Sequence, residues 1–368
     1  MSINIEMETK ELKNLFFLST LTVSKEKNNS LNNAIIEIKD NKLSITSKTP
    51  IIKSSQTIEI DSDNIEKIVI NPNTIFNILK ELSEDKTTIE LDDKFLKIKN
   101  GNFKTKIKTI NKNLYPIDEE TGEKEKITSL DFNKLKHLIK STIYCPDKND
   151  ISREFTGIFL EIEKNQLKAT ATDHFRLINV ITNIENQEKT DKFLIENDGA
   201  SLITKINFEE TVDLYKTHNS LEIKKENKLI KSKLIKSKFP DYTEILYDEN
   251  NNIIEINRKE TLNAIKRVSV TNPDSKVELF INTNDNKLII TSINSEGEES
   301  TDSVEIIDKN SDNNIKINLY SKFIIDFLSQ TEIKNIKVYY KNNEQPIMLK
   351  SQDDEYIYNY LMTPITTQ

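Results

Sequence analysis

The stretches AIIEIKDNKLSITS (34–47), GIFLEIEKNQLKATAT (157–172) and VELFINTNDNKLIITS (277–292) read as one strand–turn–strand element written three times. Apolar and polar residues alternate on either side of a short polar break, the pattern of a hairpin with one buried face. Asp40-Asn41, Lys164-Asn165 and Asn284-Asp285-Asn286 take the turn positions usually held by glycine. Asn and Asp tolerate the left-handed backbone that such turns need. The leucines that follow the turns, Leu43, Leu167 and Leu288, recur at steps of 124 and 121 residues.

Two further landmarks keep the same order and spacing. An amphipathic helix is predicted around Leu12, Leu135 and Leu262, before each hairpin, and a second around Ile78, Ile203 and Phe327, after it. A period near 120 residues exceeds a solenoid repeat of about 20–50 residues and suits a whole domain. The chain is therefore expected to be α+β, with three tandem domains, each a doubled unit of helix plus antiparallel strands. The domains are placed at 1–120, 127–244 and 252–368. Polar, acidic joins lie near 117–127 (IDEETGEKEKI) and 241–252 (DYTEILYDENNN).

In the second copy Phe132, Leu135, Leu138, Ile139 and Thr142 form the apolar stripe, with Lys134, Lys136, His137 and Lys140 opposite and Asp131 or Ser129 as N-cap. In the third, Leu262, Ile265 and Val268 face in, and Lys259, Lys266 and Arg267 face out. In the first, Leu12, Leu15, Phe16 and Phe17 pack while Lys10, Lys13 and Asn14 do not. The second helix of the first copy, NPNTIFNILKEL (71–82), starts at Pro72 and ends before Ser83. In TTIELDDKFLKIKN (87–100), Ile89, Leu91, Leu96 and Ile98 mark one face of paired strands.

Composition narrows the chemistry. The 368 residues are 36% hydrophobic and 30% charged, with net charge −8. One cysteine, Cys145, leaves no intrachain disulfide and points to a reducing cytosol. MSINIEMETK has no apolar run behind a basic start, so no secretory signal is expected, and no apolar run is long enough for a bilayer. Five scattered glycines cannot build a phosphate cradle, and His137, His174 and His218 have no metal-ligand spacing. No cofactor and no metal are expected. An acidic chain is a poor general coat for nucleic acid, though a local basic surface remains open to it.

Four segments carry a resemblance to a known family. ATATDHFRLINV (169–180) is similar to an Ala-Thr-Asp-Gly-His-Arg-Leu-Ala segment, and KFPDYTEIL (238–246) to a Phe-Pro-Asp-Tyr stretch. YNYLMTPITTQ (358–368) is similar to a Tyr-Val-Val-Met-Pro-Met-Arg-Leu tail, and NLYPID (113–118) stands at a matching turn. On the threefold repeat they make the full length resemble the β subunit of bacterial DNA polymerase III, the sliding clamp. The resemblance implies DNA-clamp domains in a ring-shaped head-to-tail homodimer that encircles duplex DNA without reading sequence. It implies a non-catalytic processivity factor that tethers the replicative polymerase and docks the clamp loader and other clamp-binding proteins, in the cytoplasm at the nucleoid.

The residues implied follow. DNA contacts fall to Lys10, Lys13, Lys80, Lys134, Lys140, Lys205, Lys266 and Arg267 on helices, with Lys25, Lys27, Lys148 and Arg153 on loops; an ordinary solvated face is the alternative for each. A partner-peptide pocket falls to Phe155, Thr172, His174, Phe175, Arg176, Leu177, Pro240, Ile245, Pro346, Met362, Pro364 and Ile365; plain core is the alternative for Leu177, Ile245 and Met362. The dimer contact is expected to pair the edge near Lys104–Lys108 with the segment Val268–Asn272. Ile107 and Val270 stand at its apolar centre, or in their own cores. The chain departs from the family at His174, Phe175, Glu244 and the Thr366-Thr367-Gln368 ending, which bears on peptide specificity. Two rival readings stand beside this one: an enzyme using Asp173 and His174, whose adjacency on a strand would aim them apart, and a tandem-domain protein scaffold that never encircles DNA.

Overall fold

The computed structural model describes residues 3–24, 30–62, 65–92, 94–111, 115, 123–185, 189–246, 252–272 and 276–365. Candidate residues Lys25 and Lys27, the Thr366–Gln368 ending and all of NLYPID except Tyr115 lie outside these.

Each repeat is two copies of strand, helix and three strands. The first runs β1 (Ile3–Glu8), α1 (Thr9–Thr22), β2 (Ala34–Lys39), β3 (Lys42–Lys48) and β4 (Ile52–Glu59), then β5 (Glu66–Ile70), α2 (Pro72–Lys80), β6 (Lys86–Leu91), β7 (Phe95–Asn100) and β8 (Phe103–Lys108). The second runs β9 (Glu125–Asp131), α3 (Phe132–Thr142), β10 (Gly157–Ile162), β11 (Gln166–Thr172) and β12 (Arg176–Asn183), then β13 (Asp191–Glu196), α4 (Asn197–Lys205), β14 (Thr211–Lys216), β15 (Ser220–Lys225) and β16 (Lys228–Lys233). The third runs β17 (Asn252–Asn257), α5 (Arg258–Val268), β18 (Lys276–Asn282), β19 (Lys287–Ile293) and β20 (Glu299–Lys309), then β21 (Ile315–Tyr320), α6 (Ser321–Gln330), β22 (Asn335–Tyr340), β23 (Ile347–Gln352) and β24 (Tyr356–Met362). Both amphipathic helices fall where the periodicity puts them. The strands β1, β9 and β17 ahead of the first helix of each repeat add to the expected order of helix, strands, helix, strands. In the second repeat, β9 occupies the end of the supposed acidic join, pairing with β14 through Val212 and Leu214.

The halves exchange their first strands. The order β5-β2-β3-β4 joins the second half's entry strand to the first half's three, and β1-β6-β7-β8 does the reverse. The chain forms two compact units, Met1–Asn133 with Asp198–Leu234, and Lys134–Asn197 with Ile235–Gln368. The first holds an eight-stranded sheet, β5-β2-β3-β4-β16-β15-β14-β9, and the four-stranded sheet β1-β6-β7-β8. The second holds a twelve-stranded sheet, β13-β10-β11-β12-β24-β23-β22-β17-β20-β19-β18-β21. Two strand pairs therefore cross repeat boundaries, β4 with β16 and β12 with β24, both antiparallel.

Local rules account for the ends of these elements. Asp40, Asn41 and Asn286 take positive φ in their hairpin turns. Asn71 caps α2 by accepting from the Asn73 and Thr74 N–H groups ahead of Pro72, and Asp131 accepts from Asn133 N–H at the start of α3. The first unit's core gathers Leu12, Leu15 and Phe16 with Ile36, Ile45, Ile75, Leu79, Ile89 and Ile98.

Two helix-face assignments are corrected. Phe17 is 40% exposed, its ring 5.7 Å from that of Phe76, because it sits one residue past the buried stripe. His137 is half-buried: it stacks on Tyr356 at 3.9 Å and hydrogen-bonds Tyr358 Oη at 2.6 Å. Burial lowers the His137 pKa and Lys140 adds to that, while Asp353, Glu355 and Glu332 act the other way. The folded chain thus favours the neutral ring. Its stabilisation is complete above the ordinary 6.5 and is lost as pH falls below it toward the lowered folded value. Between about pH 7 and about pH 5 the denaturant midpoint should fall less in His137→Gln than in the parent chain.

Candidate functional site

The turn between β11 and β12 is built by its own side chains. Asp173 Oδ1 accepts from the N–H groups of Phe175 (3.2 Å) and Arg176 (3.0 Å), and Thr172 Oγ1 donates to the Arg176 carbonyl at 2.7 Å. This forces His174 into the left-handed region at φ +75°, which costs a residue with a Cβ. Arg176 holds the turn from beneath. Its guanidinium donates to Asp173 Oδ2 (2.8 Å), Asp326 Oδ2 (2.7 Å) and the Tyr144 carbonyl (3.0 Å), and lies 4.4 Å from the Phe323 ring centre. That side chain is buried and fully engaged, so Arg176 positions the turn and presents no head group to a ligand. Thr172 is likewise buried and spent on the turn.

Next to the turn lies an apolar cluster of Leu177, Leu194, Ile235, Phe239, Tyr242, Leu246, Met348 and Leu361, with Phe159 and Tyr339 against it. Phe175 (58% exposed) and Ile245 (53% exposed) stand outside as unshielded apolar groups, and Pro240 and Pro346 are also exposed. Met362 is buried, facing Arg176 on one side and Ile347 on the other. Pro364 is buried, and Ile365 N–H donates to the Asn318 carbonyl at 2.8 Å. Phe155 is partly buried in contact with His174. The fold brings only part of the predicted set together: Leu177 shares its sheet face with Leu361 and Met348, beside the exposed Ile245 and Pro240, whereas Met362 lies on the opposite face with Arg176 and Ile347, which corrects its expected place in the pocket. Glu244 is exposed beside Ile245.

The segment 238–246 is latched by residues the sequence analysis passed over. Phe239 stacks on Phe159 at 4.7 Å and 8°, and the Tyr242 hydroxyl donates to buried Glu161. Glu161 also receives Lys192 Nζ at 2.7 Å. Gly157 is required close by: a Cβ there would overlap the Ile195 carbonyl oxygen and come within 2.6 Å of Ile235 Cδ1. In KFPDYTEIL the inward residues Phe239, Tyr242 and Leu246 are three and four apart, so no strand alternation in the sequence marks them. Nothing in the sequence marks Asp150, whose Oδ2 meets His174 Nε2 at 2.8 Å.

The enzyme reading loses its pair, because Asp173 is held by backbone and Arg176 while His174 binds Asp150. Cys145 is buried, its thiol donating to the Ala171 carbonyl, and burial pushes the thiol pKa up. Among the described residues no cluster of His, Cys, Asp or Glu could hold a metal, and no helix is long and apolar enough to cross a membrane.

The candidate DNA-contact residues are spread over both units. Lys10, Lys80, Lys140, Lys148, Lys205, Lys266 and Arg267 are exposed, and Lys13 and Lys134 partly so. Several carry local ties: Lys80 over the Phe76 ring, Lys134 to the Asn183 carbonyl, Arg153 to Glu196 and Arg267 to Asp302. As for the dimer candidates, β8 is an edge strand, and Ile107 packs partly against its own core. The segment Val268–Asn272 is no strand: it is the end of α5 and the 3-10 turn Ser269–Thr271, with Val270 82% exposed.

Three family models match the chain in order. These are the N-terminal domain of the DNA polymerase III beta subunit over residues 3–118, its central domain over 129–241 and its C-terminal domain over 243–365. The beta sliding clamp of Rickettsia felis is 24% identical over 364 residues, 94% of each chain. That of Bacillus subtilis is 24% identical over 333 residues, 89% of this chain and 87% of its own. The fold matches a DNA polymerase III beta subunit from Thermotoga maritima with TM-score 0.90 at 22% identity, covering both chains fully. It matches the subunit from Pseudomonas aeruginosa with TM-score 0.89 at 19% identity, over 99% of this chain and 100% of the other. With nearly its whole length accounted for in the right order, the chain belongs to the DNA polymerase III beta subunit family, the beta sliding clamps.

Proposed function

We propose that two copies of this chain close head to tail into a ring of six domains that encircles duplex DNA and tethers the replicative polymerase without catalysing a reaction. The observation that carries this reading is a junction made twice and left open once. By the repeat, β4, β12 and β20 correspond, as do β8, β16 and β24. Within the chain β4 pairs with β16 and β12 with β24. The outer edge of β8 and the Glu299–Glu305 half of β20 are the remaining pair, each bonded on one side only among the described residues. Edge strands seek partners, and a head-to-tail pairing that closes forms a ring.

The two edges are complementary. β8 exposes Lys104, Lys106 and Lys108; β20 exposes Glu299 and Glu305. Beside β8 a cavity of about 610 Å³ is lined by Ile78, Leu82 and Phe103, among others, and suits an apolar group such as the partner's Val270. The expected contact therefore moves from Val268–Asn272 alone to β20 plus Val270.

A ring separates holding from gripping. DNA carries one charge per about 1.7 Å, and lysines neutralise it without reading bases. The exposed helix lysines fit that role, on three domains taken as 1–120, 127–244 and 252–368. The apolar region around Leu177, Leu361 and Ile245 is assigned to a short peptide with apolar anchors, from the polymerase, the clamp loader and repair proteins. The protein would act in the cytoplasm, at the nucleoid.

The test is retention on DNA. Labelled protein placed on a nicked circle by the clamp loader should remain through gel filtration in high salt and be lost once the circle is cut. Equal loss from circle and linear DNA would show ordinary charge-driven binding, or a scaffold that never encircles, and would refute the ring.

A further inference from the structure

We propose that His174 is a specificity-determining gate over the apolar pocket, an inference that rests on the peptide-site reading above. Three observations converge on it. The residue has a left-handed backbone, φ +75°, that a glycine would adopt without strain. Such outliers persist where surrounding structure over-determines them, and here the Asp173 and Arg176 contacts do so. The imidazole, though 45% exposed, is held at both ends: it leans on the Phe155 ring with centroids 3.7 Å apart and planes 48° apart, and bonds Asp150 Oδ2 at 2.8 Å. Asp150 is itself fixed, its Oδ1 accepting from Ser152 N–H at 2.7 Å, and its side chain is only 16% exposed.

The consequence is steric. His174 bridges the β11–β12 turn to the loop that carries Asp150 and Phe155, and its tilted ring stands in the approach to the Phe155 ring. A peptide anchor of aliphatic or aromatic character reaches that ring only after the imidazole leaves it and gives up the Asp150 bond. The neighbouring Leu177 and Ile245 surface stays open throughout. The gate therefore sets which ligands bind: a peptide with a single apolar anchor for the open surface is indifferent to it, and one with a second anchor for Phe155 must displace it.

The experiment measures binding of a fluorescein-labelled peptide copied from the clamp-binding segment of the cognate polymerase, by anisotropy on the intact protein. His174→Gly should tighten binding about fivefold, the size of one hydrogen bond released. Asp150→Ala, which frees the imidazole without altering the pocket wall, should tighten it in the same direction, and the double variant should gain little over His174→Gly alone. A peptide truncated to one apolar anchor should show no change in any variant. Weaker or unchanged binding of the two-anchor peptide to His174→Gly, or additive effects of the two substitutions, overturns the gate. If Ile245→Asp still weakens that peptide, the site reading survives this failure; if it does not, the site falls and the gate with it.

Discussion

Val270→Asp is expected to turn the dimer into a monomer at micromolar concentration, with dimerisation weakened by about 100-fold or more. In the single chain Val270 is 82% exposed, so a carboxylate there meets water and leaves the fold of the protomer intact. In the proposed ring the same position enters the cavity lined by Ile78, Leu82 and Phe103, where an unpaired charge is costly. Sedimentation equilibrium reads the outcome directly. A second arm separates the strand edges from the apolar contact. Reversing Lys104, Lys106 and Lys108 to glutamate should also open the ring, and reversing Glu299 and Glu305 to lysine in the same chain should restore it. Charge swaps restore only groups that face each other. A Val270→Asp protein that sediments as the parent dimer would remove this interface.

Ile245→Asp is expected to weaken binding of the polymerase peptide about 30-fold, the loss of one hot-spot contact. Ile245 is 53% exposed, and unfolding behaviour should not move. Met362→Ala should leave the peptide affinity near the parent's, because Met362 lies on the sheet face opposite Leu177, yet it should cost stability. Met362 is buried between Arg176 and Ile347, so its truncation leaves a hole and lowers stability by about 2–5 kcal/mol. Calorimetric titration with the peptide, run beside denaturant melts of both variants, separates the two effects. Full affinity in Ile245→Asp would place the peptide elsewhere on the molecule.

Arg176 shows how far residue type alone leads. In ATATDHFRLINV an arginine beside a turn reads as a ligand contact, yet its guanidinium is spent on Asp173, Asp326 and Tyr144. Asp326 is 150 residues away in the chain, and no local pattern could have announced it. His137 is the same case: helical spacing puts it opposite the stripe, and only β24, arriving from the last repeat, covers it with Tyr356 and Tyr358.

By itself the sequence determined the threefold repeat, the α+β class, the six helices and the hairpin turns. These rest on periodicity and turn chemistry acting within about 15 residues, where side-chain pattern dictates which face is buried. Tertiary structure decided what depends on distant neighbours: the exchange of entry strands between half-repeats, the pairing of β4 with β16 and β12 with β24, and the strand edges left over. It also decided which polar side chains near the pocket are spent internally and which stay outside. A backbone hydrogen bond takes any strand as partner, so the choice among the 24 strands of the described residues comes from packing distant segments together.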